Sequence, residues 1–494
     1  MTRQAHRFAI IPALLVLAGC SLAPKYERPA APVPGVYPGV GATQAVSALP
    51  VSASADLGWR DFFRDEQLKA LIAFALENNR DLRIAVGRVE EARALFGIQQ
   101  SERLPTLGIG GNATIQSMPE PLRAGGGNAP SVSRVYQAGV GITAFELDFF
   151  GRVRNLSEAA YQQYLASEQA QRTVHLALVA QVAESYFRLR ATELQRQLVE
   201  STLKSRQSSY DLIRQRYDAG VAGALDLNQA KSQLEQSRAD LQEILRLEQL
   251  AQNALLLVLG GTPENLPAAS TFGHEQLVSG IPVGLPSDLL ARRPDIIGAE
   301  NSLLATNANI GAARAAFFPN ISITGVLGFA SGAMGGLFSG ANRFWTFTPD
   351  LKMPLFSGGV VGQLGLAEAR KNMAVSQYEK TIQTAFREVA DALAGEATYA
   401  RQLDALRALE TSAAESLKIA NLRYENGIDS FLQVQAAEVT LYNAQRTFLQ
   451  TGLNSLMNRV ELYKALGGGW LENTATEAPA PVNTTTSSNE KAGS

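Results

Sequence analysis

The 494-residue chain has a single cysteine, three histidines and three tryptophans. One cysteine, Cys20, excludes an intramolecular disulfide, and so small a Cys/His set excludes a Cys/His zinc cluster. No sign of charge predominates: 44 basic residues stand against 46 acidic ones, a net −2. That balance argues against nucleic acid as a partner, since a binder carries a basic patch or stripe. Long hydrophobic runs are also missing. After the first twenty residues no apolar stretch approaches the ~18 that a membrane-spanning helix needs. The richest is Ala254–Leu259, which stops at Gly260-Gly261. No Gly-rich loop ends in Lys-Ser or Lys-Thr as a phosphate cradle would. Gly358-Gly359 reads instead as a strand-to-helix corner. His175 falls inside a helical stretch and His274 in a loop, neither with a Cys or His companion at ligand spacing. The expectation is a protein that is not an enzyme, with no metal and no cofactor beyond a covalent lipid.

The lipid is expected at the N-terminus. Residues 1–19 read as a lipoprotein signal peptide, with Arg3, His6 and Arg7 before an apolar core from Phe8 to Leu17. Leu17-Ala18-Gly19-Cys20 resembles the bacterial lipobox, in which the peptide is cut before the cysteine and that cysteine is acylated. Several acyl chains, at about 0.8 kcal/mol per buried CH₂, would anchor the chain stably. Ser21, by the same resemblance, favours sorting to the outer membrane. Residues 20–58 are expected to form a lipidated tether, with Pro24, Pro29, Pro32, Pro34, Pro38 and Pro50 among Gly, Ala and Ser. The last residues, 472–494, are rich in Thr, Ser, Ala and Pro and are expected to be disordered.

Between these ends the chain repeats itself. Asn79-Arg80-Asp81-Leu82 and Arg293-Pro294-Asp295-Ile296 lie at an offset of 214, which also pairs Ala85 with Ala299, Gly97 with Gly311 and Pro105 with Pro319. Arg216-Tyr217-Asp218-Ala219-Gly220 and Arg423-Tyr424-Glu425-Asn426-Gly427 lie at an offset of 207. A two-fold repeat of about 200 residues is a duplicated domain, far longer than a solenoid unit. The first repeat is placed at 59–285 and the second at 286–471.

Each repeat follows one plan. A first helix, about 81–103 or 294–316, stops before Pro105 or Pro319, because the residue preceding proline avoids the α region. Two alternating segments follow, within about 105–147 and 319–355, joined by loops at about 118–134 and 331–342. Leu107, Ile109, Ala113 and Ile115 oppose Thr106, Asn112 and Thr114. Tyr136, Ala138, Val140 and Ile142 oppose Gln137 and Thr143. Ile321, Ile323, Leu327 and Phe329 oppose Ser322 and Thr324. Trp345, Phe347, Leu351 and Met353 oppose Thr346, Thr348, Asp350 and Lys352. Period-two alternation marks strands. A long helix follows in each repeat, at about 152–218 and 360–425. The first has no proline and no interior glycine, and about 66 residues at 1.5 Å per residue would span roughly 100 Å. Such lengths suit coiled-coil-like packing. Each ends at a glycine turn and is followed by a return helix, at 225–259 and 431–466; a further segment at 262–285 closes the first repeat.

Strands apolar on one side and polar on the other suit a membrane barrel with lipid outside and a wet lumen. Lipid forbids open sheet edges, and four strands cannot close a barrel, so the chain must associate. Phe145, Phe149, Phe150, Phe317, Phe318 and Trp345 near the strand ends suggest an interfacial girdle. A soluble α/β protein with hairpins over a core is the bland alternative.

The lipobox, the duplication, Leu147-Asp148-Phe149-Phe150-Gly151-Arg152, the two Arg-Tyr-x-x-Gly turns and Leu462-Tyr463-Lys464-Ala465-Leu466-Gly467-Gly468-Gly469-Trp470 together resemble the TolC-like outer-membrane factors, closest to the lipoprotein efflux branch typified by OprM. The resemblance covers roughly 55–470. It implies an α+β membrane protein: a homotrimer with one twelve-stranded outer-membrane barrel continued by a periplasmic helical barrel. An equatorial belt would come from about 59–80, 262–290 and the C-terminal segment. The implied partners are a periplasmic adaptor and an inner-membrane transporter of the resistance-nodulation-division type, and the implied function is a passive efflux duct. Type I protein secretion or metal-ion efflux through a similar duct is the alternative, and a structural envelope lipoprotein is a third reading.

The glycine turns would lie at the periplasmic tip. In a trimer every tip residue forms a ring of three, so Asp429, Asp226 or Asp218 could set a charged constriction. The resemblance singles out Asp429. Aspartates at such positions also serve as helix caps, and both readings stand for Asp429, Asp226 and Asp218. Gly220, Val221, Gly223, Gly427 and Ile428 are the candidates for docking an adaptor.

Overall fold

A computed structural model describes residues 21–38, 57–117, 119, 132–278 and 286–474. The signal peptide, Cys20, much of the tether, most of the first hairpin loop, residues 279–285 and the tail beyond 474 lie outside the described residues. In chain order the elements are α1 (Trp59–Phe62), α2 (Glu66–Asn78), α3 (Arg80–Ser101), β1 (Leu107–Ser117), β2 (Val132–Leu147), α4 (Arg152–Asp218), α5 (Ala224–Leu259), α6 (Pro286–Arg292), α7 (Pro294–Ala315), β3 (Asn320–Ser331), β4 (Arg343–Lys352), α8 (Gly358–Glu425) and α9 (Phe431–Ala465). The two long helices have 67 and 68 residues. Among the described residues no helix is long and apolar enough to cross a membrane.

The chain forms two compact units, and each draws on both repeats. The first contains the N-terminal residues through Ala31, with Val86–Ala170 and Ile296–Thr381. Its centre is an antiparallel four-stranded sheet in the order β1-β2-β3-β4. The hairpin of one repeat therefore pairs with the hairpin of the other through β2 and β3. Glycines permit close strand approach here: a Cβ on Gly139 would lie 2.8 Å from the Leu327 carbonyl oxygen, opposite Gly328. The β2–β3 register shifts between Ile142 and Phe145. At that bulge Ala144 takes φ 48°, and its N–H donates to Thr324 Oγ1 at 3.1 Å. A bulge of this kind bends the strand and increases its twist.

The second unit contains Pro32–Ala85, Gln171–Asp295 and the chain from Ile382 onward. Its main core joins Trp59, Phe62 and Phe63 to Leu68 and Ile72 of α2, Val182 and Phe187 of α4, Leu259 of α5, and Val460 and Tyr463 of α9. Tyr463 stacks on Phe62 with ring centroids 3.9 Å apart and donates to the Leu57 carbonyl at 2.6 Å. Trp59 N–H bonds Leu471 O, and Val278 N–H bonds Phe62 O, so segments distant in sequence close around one another.

Asp65 holds that closure together. It is 0% exposed and caps α2, accepting from Gln67 N at 2.8 Å and Leu68 N at 3.2 Å. Its other oxygen accepts from the Tyr186 hydroxyl at 2.8 Å, Gln276 Nε2 at 3.2 Å and Ser270 N at 3.3 Å. Removing the carboxylate would strand several buried donors, each carrying a desolvation penalty of about 1–3 kcal/mol. Asp65→Ala is therefore expected to lower the thermal midpoint of the purified protein clearly, and Asp65→Asn less. Melting followed by circular dichroism checks this; an unchanged midpoint for the alanine variant would contradict it.

Candidate channel wall and tip

The strand registers settle which residues share a face. Leu107, Ile109, Gly111 and Ala113 of β1 pair with Ile142, Val140, Ala138 and Tyr136 of β2. Ala138 and Val140 pair onward with Phe329 and Leu327, and Leu327 with Trp345. Gly325 pairs with Phe347, and Ile321 with Leu351. One face of the sheet is thus a continuous apolar surface, and it is uncovered: Ile109 is 89% exposed and Trp345 74%. The opposite face carries Asn112 beside Gln137, Thr324 beside Thr348, Ser322 beside Asp350 and Asn320 beside Lys352. This is the division expected from the alternation. The pairing of β2 with β3 was not readable, because strand order between repeats leaves no periodic signal.

β1 and β4 are the edges of the sheet. Phe150 and Phe318 stack 4.7 Å apart where the helices meet the sheet, while Trp345 lies near the loop end of β4. The aromatics singled out in the sequence therefore fall at both ends of the strands.

The glycine turns belong to the second unit. Both long helices end with glycine in the left-handed region, Gly220 at φ 77° and Gly427 at φ 69°. In both turns the backbone folds identically: Val221 N bonds Arg216 O, and Ile428 N bonds Arg423 O, each at 2.9 Å. This is the glycine-terminated end that satisfies the last helical carbonyls. The turns differ in side chains. Asp429 forms a two-point pair with Arg423, Nε to Oδ2 at 2.5 Å and Nη2 to Oδ1 at 3.1 Å. The first turn has Ala222 at the equivalent place. Arg216, with no such carboxylate, instead places its guanidinium 4.8 Å from the ring centroid of Tyr424 and so joins the two turns. Behind them Ile213, Ala230, Phe431 and Val434 form a small core.

Asp429 is not a cap: the N-cap of α9 is Ser430 and that of α5 is Gly223, neither with a side-chain capping bond. Asp226 lies within the first turn of α5, and Asp218 is the last residue of α4. The three aspartates are thus not equivalent, and only Asp429 is tied into the turn by an arginine of the preceding helix. Sequence reasoning found the Arg-Tyr-x-x-Gly motif twice but assigned no role to its arginines. The difference between Ala222 and Asp429 was the available signal. Val221, Leu225, Ile428 and Leu432 leave apolar side chains exposed around the turns.

The His175 ring is half-buried, its partial desolvation lowers its pKa, and it packs edge-on against Trp470 with centroids 5.0 Å apart. It is a packing residue of the second unit.

Residues 71–261 and 285–468 match the family model described as "Outer membrane efflux protein". The outer membrane protein OprJ of Pseudomonas aeruginosa is 44% identical over 474 residues, 96% of this chain and 98% of that protein. A toluene efflux pump outer membrane protein of Pseudomonas putida, TtgC, is 42% identical over 461 residues, 93% of this chain and 94% of that protein. Among solved structures, the open state of the MtrE outer membrane channel of Neisseria gonorrhoeae superposes with a TM-score of 0.82 at 36% identity, covering 92% of this chain and all of that one.

Proposed function

The chain belongs to the outer membrane efflux protein family, and on that footing we propose that it is the outer-membrane exit duct of a resistance-nodulation-division efflux pump. It carries drugs or other small toxic compounds outward. One observation carries the proposal: a four-stranded sheet, apolar and bare on one face, polar on the other, with two edges that lipid would not tolerate open. Three copies joined β1 to β4 give twelve strands, with the apolar face toward lipid and the Asn112, Gln137, Thr324 and Asp350 face lining water. The long helices α4 and α8, with their return helices, supply the wall of a periplasmic tunnel. No reaction is assigned; the work is done by the inner-membrane transporter, and this chain provides the path and the gate. A lipid on Cys20 would anchor each copy.

At the tip, the Arg423–Asp429 pair holds the second turn closed, and Arg216 on Tyr424 fastens it to the first. Gly220, Val221, Gly223, Gly427 and Ile428 form the surface for a periplasmic adaptor. Arg423 holds the Asp429 carboxyl below the usual carboxylate value of 3.8, chiefly through its hydrogen bond. A depressed pKa means that the pair contributes fully above the ordinary value and is lost as pH falls through the lowered one. Conductance of the purified protein in a planar bilayer should therefore stay flat from neutral pH to about 5 and rise only in stronger acid. A rise already near pH 6 would contradict the assignment of Asp429.

Dye accumulation in a deletion strain tests the function. Restoring the gene should lower accumulation, and inactivating the inner-membrane transporter should abolish the difference. No change with any of several chemically diverse dyes, alongside altered protein secretion, would favour type I export instead.

A further inference from the structure

Residues 21–28 are docked along the first unit as an extended arm. Ser21 Oγ donates to Asn155 Oδ1 at 2.7 Å, near the start of α4. Asn307 Nδ2 donates to the Pro24 carbonyl at 2.8 Å, and Arg314 Nη1 to the Leu22 carbonyl at 3.4 Å, both from α7. The arm then closes on Glu300. Tyr26 donates its hydroxyl to Oε1 at 2.9 Å, and Arg28 makes a two-point pair, Nε to Oε1 and Nη2 to Oε2, each at 2.7 Å. Glu300 is 8% exposed. A carboxylate so buried is costly unless it is paired, and a planar guanidinium satisfies both of its oxygens at once.

The receptor is shaped for this arm. A Cβ on Gly311 would lie 2.7 Å from Ala23 N and 2.6 Å from Asn155 Nδ2. The first repeat has no counterpart. At the 214 offset Glu300 corresponds to Val86 and Gly311 to Gly97, and Gly97 has open space around it. The receptor is therefore a feature of α7 that its counterpart α3 lacks. The arm's partners come from both repeats: Asn155 in the first turn of α4, and Arg314, Asn307 and Glu300 spaced back along α7 from its sheet end. The docked chain begins one residue after Cys20.

We propose that Glu300 is a docking site for the chain's own N-terminal arm, and that its latch with Tyr26 and Arg28 fixes the point from which the anchored end departs, so that anchor and sheet enter the membrane in one register. Glu300 is then a positioning residue. A free Pro-rich tether would set only a maximum distance; a latched arm sets a position. The partner presented with this position is a lipid surface. The inference goes beyond the duct reading but rests on its lipid anchor at Cys20 and its membrane-embedded sheet. A protein that conducts with a loose arm would sink the latch alone, and a latched arm on a protein that does not conduct would sink the duct alone.

The test uses the full chain in outer-membrane vesicles. With the vesicles opened to expose their periplasmic face, trypsin cleavage after Lys25 is followed by mass spectrometry of the new N-terminus at position 26, since residues 20–25 stay with the membrane. The double variant Tyr26→Phe, Arg28→Ala removes the latch from the arm side without touching α7, and Glu300→Gln removes it from the receptor side. Cleavage requires local opening, and loss of bonds to a buried charge should raise the open population about tenfold or more. Arg28→Lys, which keeps the charge but not the two-point geometry, should fall between. Equal rates in wild type and the double variant would overturn the latch. The positional claim is read from the yield of detergent-resistant oligomer. The double variant should lower it in the lipidated protein and lower it no further in a Cys20→Ser protein exported behind a signal cleaved without lipid. Additive losses would overturn the coupling of latch to anchor.

Discussion

Leu327→Arg is expected to abolish outer-membrane assembly. Leu327 lies near the middle of β3, between Val140 of β2 and Trp345 of β4. It is 68% exposed on the apolar face. If that face meets lipid, arginine near the midplane costs about 2–4 kcal/mol per chain, and a symmetric trimer carries it three times. Thr346→Arg, on the polar face beside Val326, is the matched control and should insert normally. Membrane fractionation and the fraction of detergent-resistant oligomer give the comparison. Equal assembly of the two variants would mean that the exposed apolar face does not meet lipid.

The second large effect is expected at the tip. Asp429→Ala and Arg423→Ala should each raise the conductance of the channel in planar bilayers several-fold, because each removes the same two-point pair. The double variant should match either single one, since both lose one shared interaction. Asp226→Ala and Asp218→Ala should change conductance little, as neither is tied into a turn in this way. The pair is exposed and weak in isolation; the proposed gate has it act as a lock only if it is repeated around a three-fold axis at a constriction. Unchanged conductance and voltage response in both single variants would remove Asp429 and Arg423 from the gate.

Much of the fold was legible because two of its signals are long and periodic. The helix read from unbroken sequence at about 152–218 runs Arg152–Asp218, bounded by Gly151 and Gly220, which both take positive φ. Alternation in Ile321, Ile323 and Leu327 placed those residues on one face, since a strand offers only two. Strand order was not legible: nothing local to Val140 or Leu327 says that they are neighbours. Nor did the duplication delimit the compact units, because each combines equivalent pieces of both repeats. At the tip, glycine marked the turns, but the partner of Asp429 sits six residues upstream, across a left-handed residue, where helical spacing rules do not reach. The arm was read as an extended tether, with no docking site assigned to it, because its composition is that of one. Its order comes from Glu300, more than 270 residues away, and from the room left at Gly311. Composition records what a segment can do alone and is silent about a receptor elsewhere in the chain.

The central claim is that three copies close one barrel by joining β1 of each to β4 of the next. Cysteines introduced together at Ala113 on β1 and Phe347 on β4, both on the apolar face, can be bridged in outer-membrane vesicles by a bifunctional maleimide, with Cys20 handled by a lipidated single-cysteine control. The account predicts a ladder of covalent species that ends at three chains, and only monomers when either cysteine is absent. A ladder that stops at two, or one that runs on past three, would contradict it.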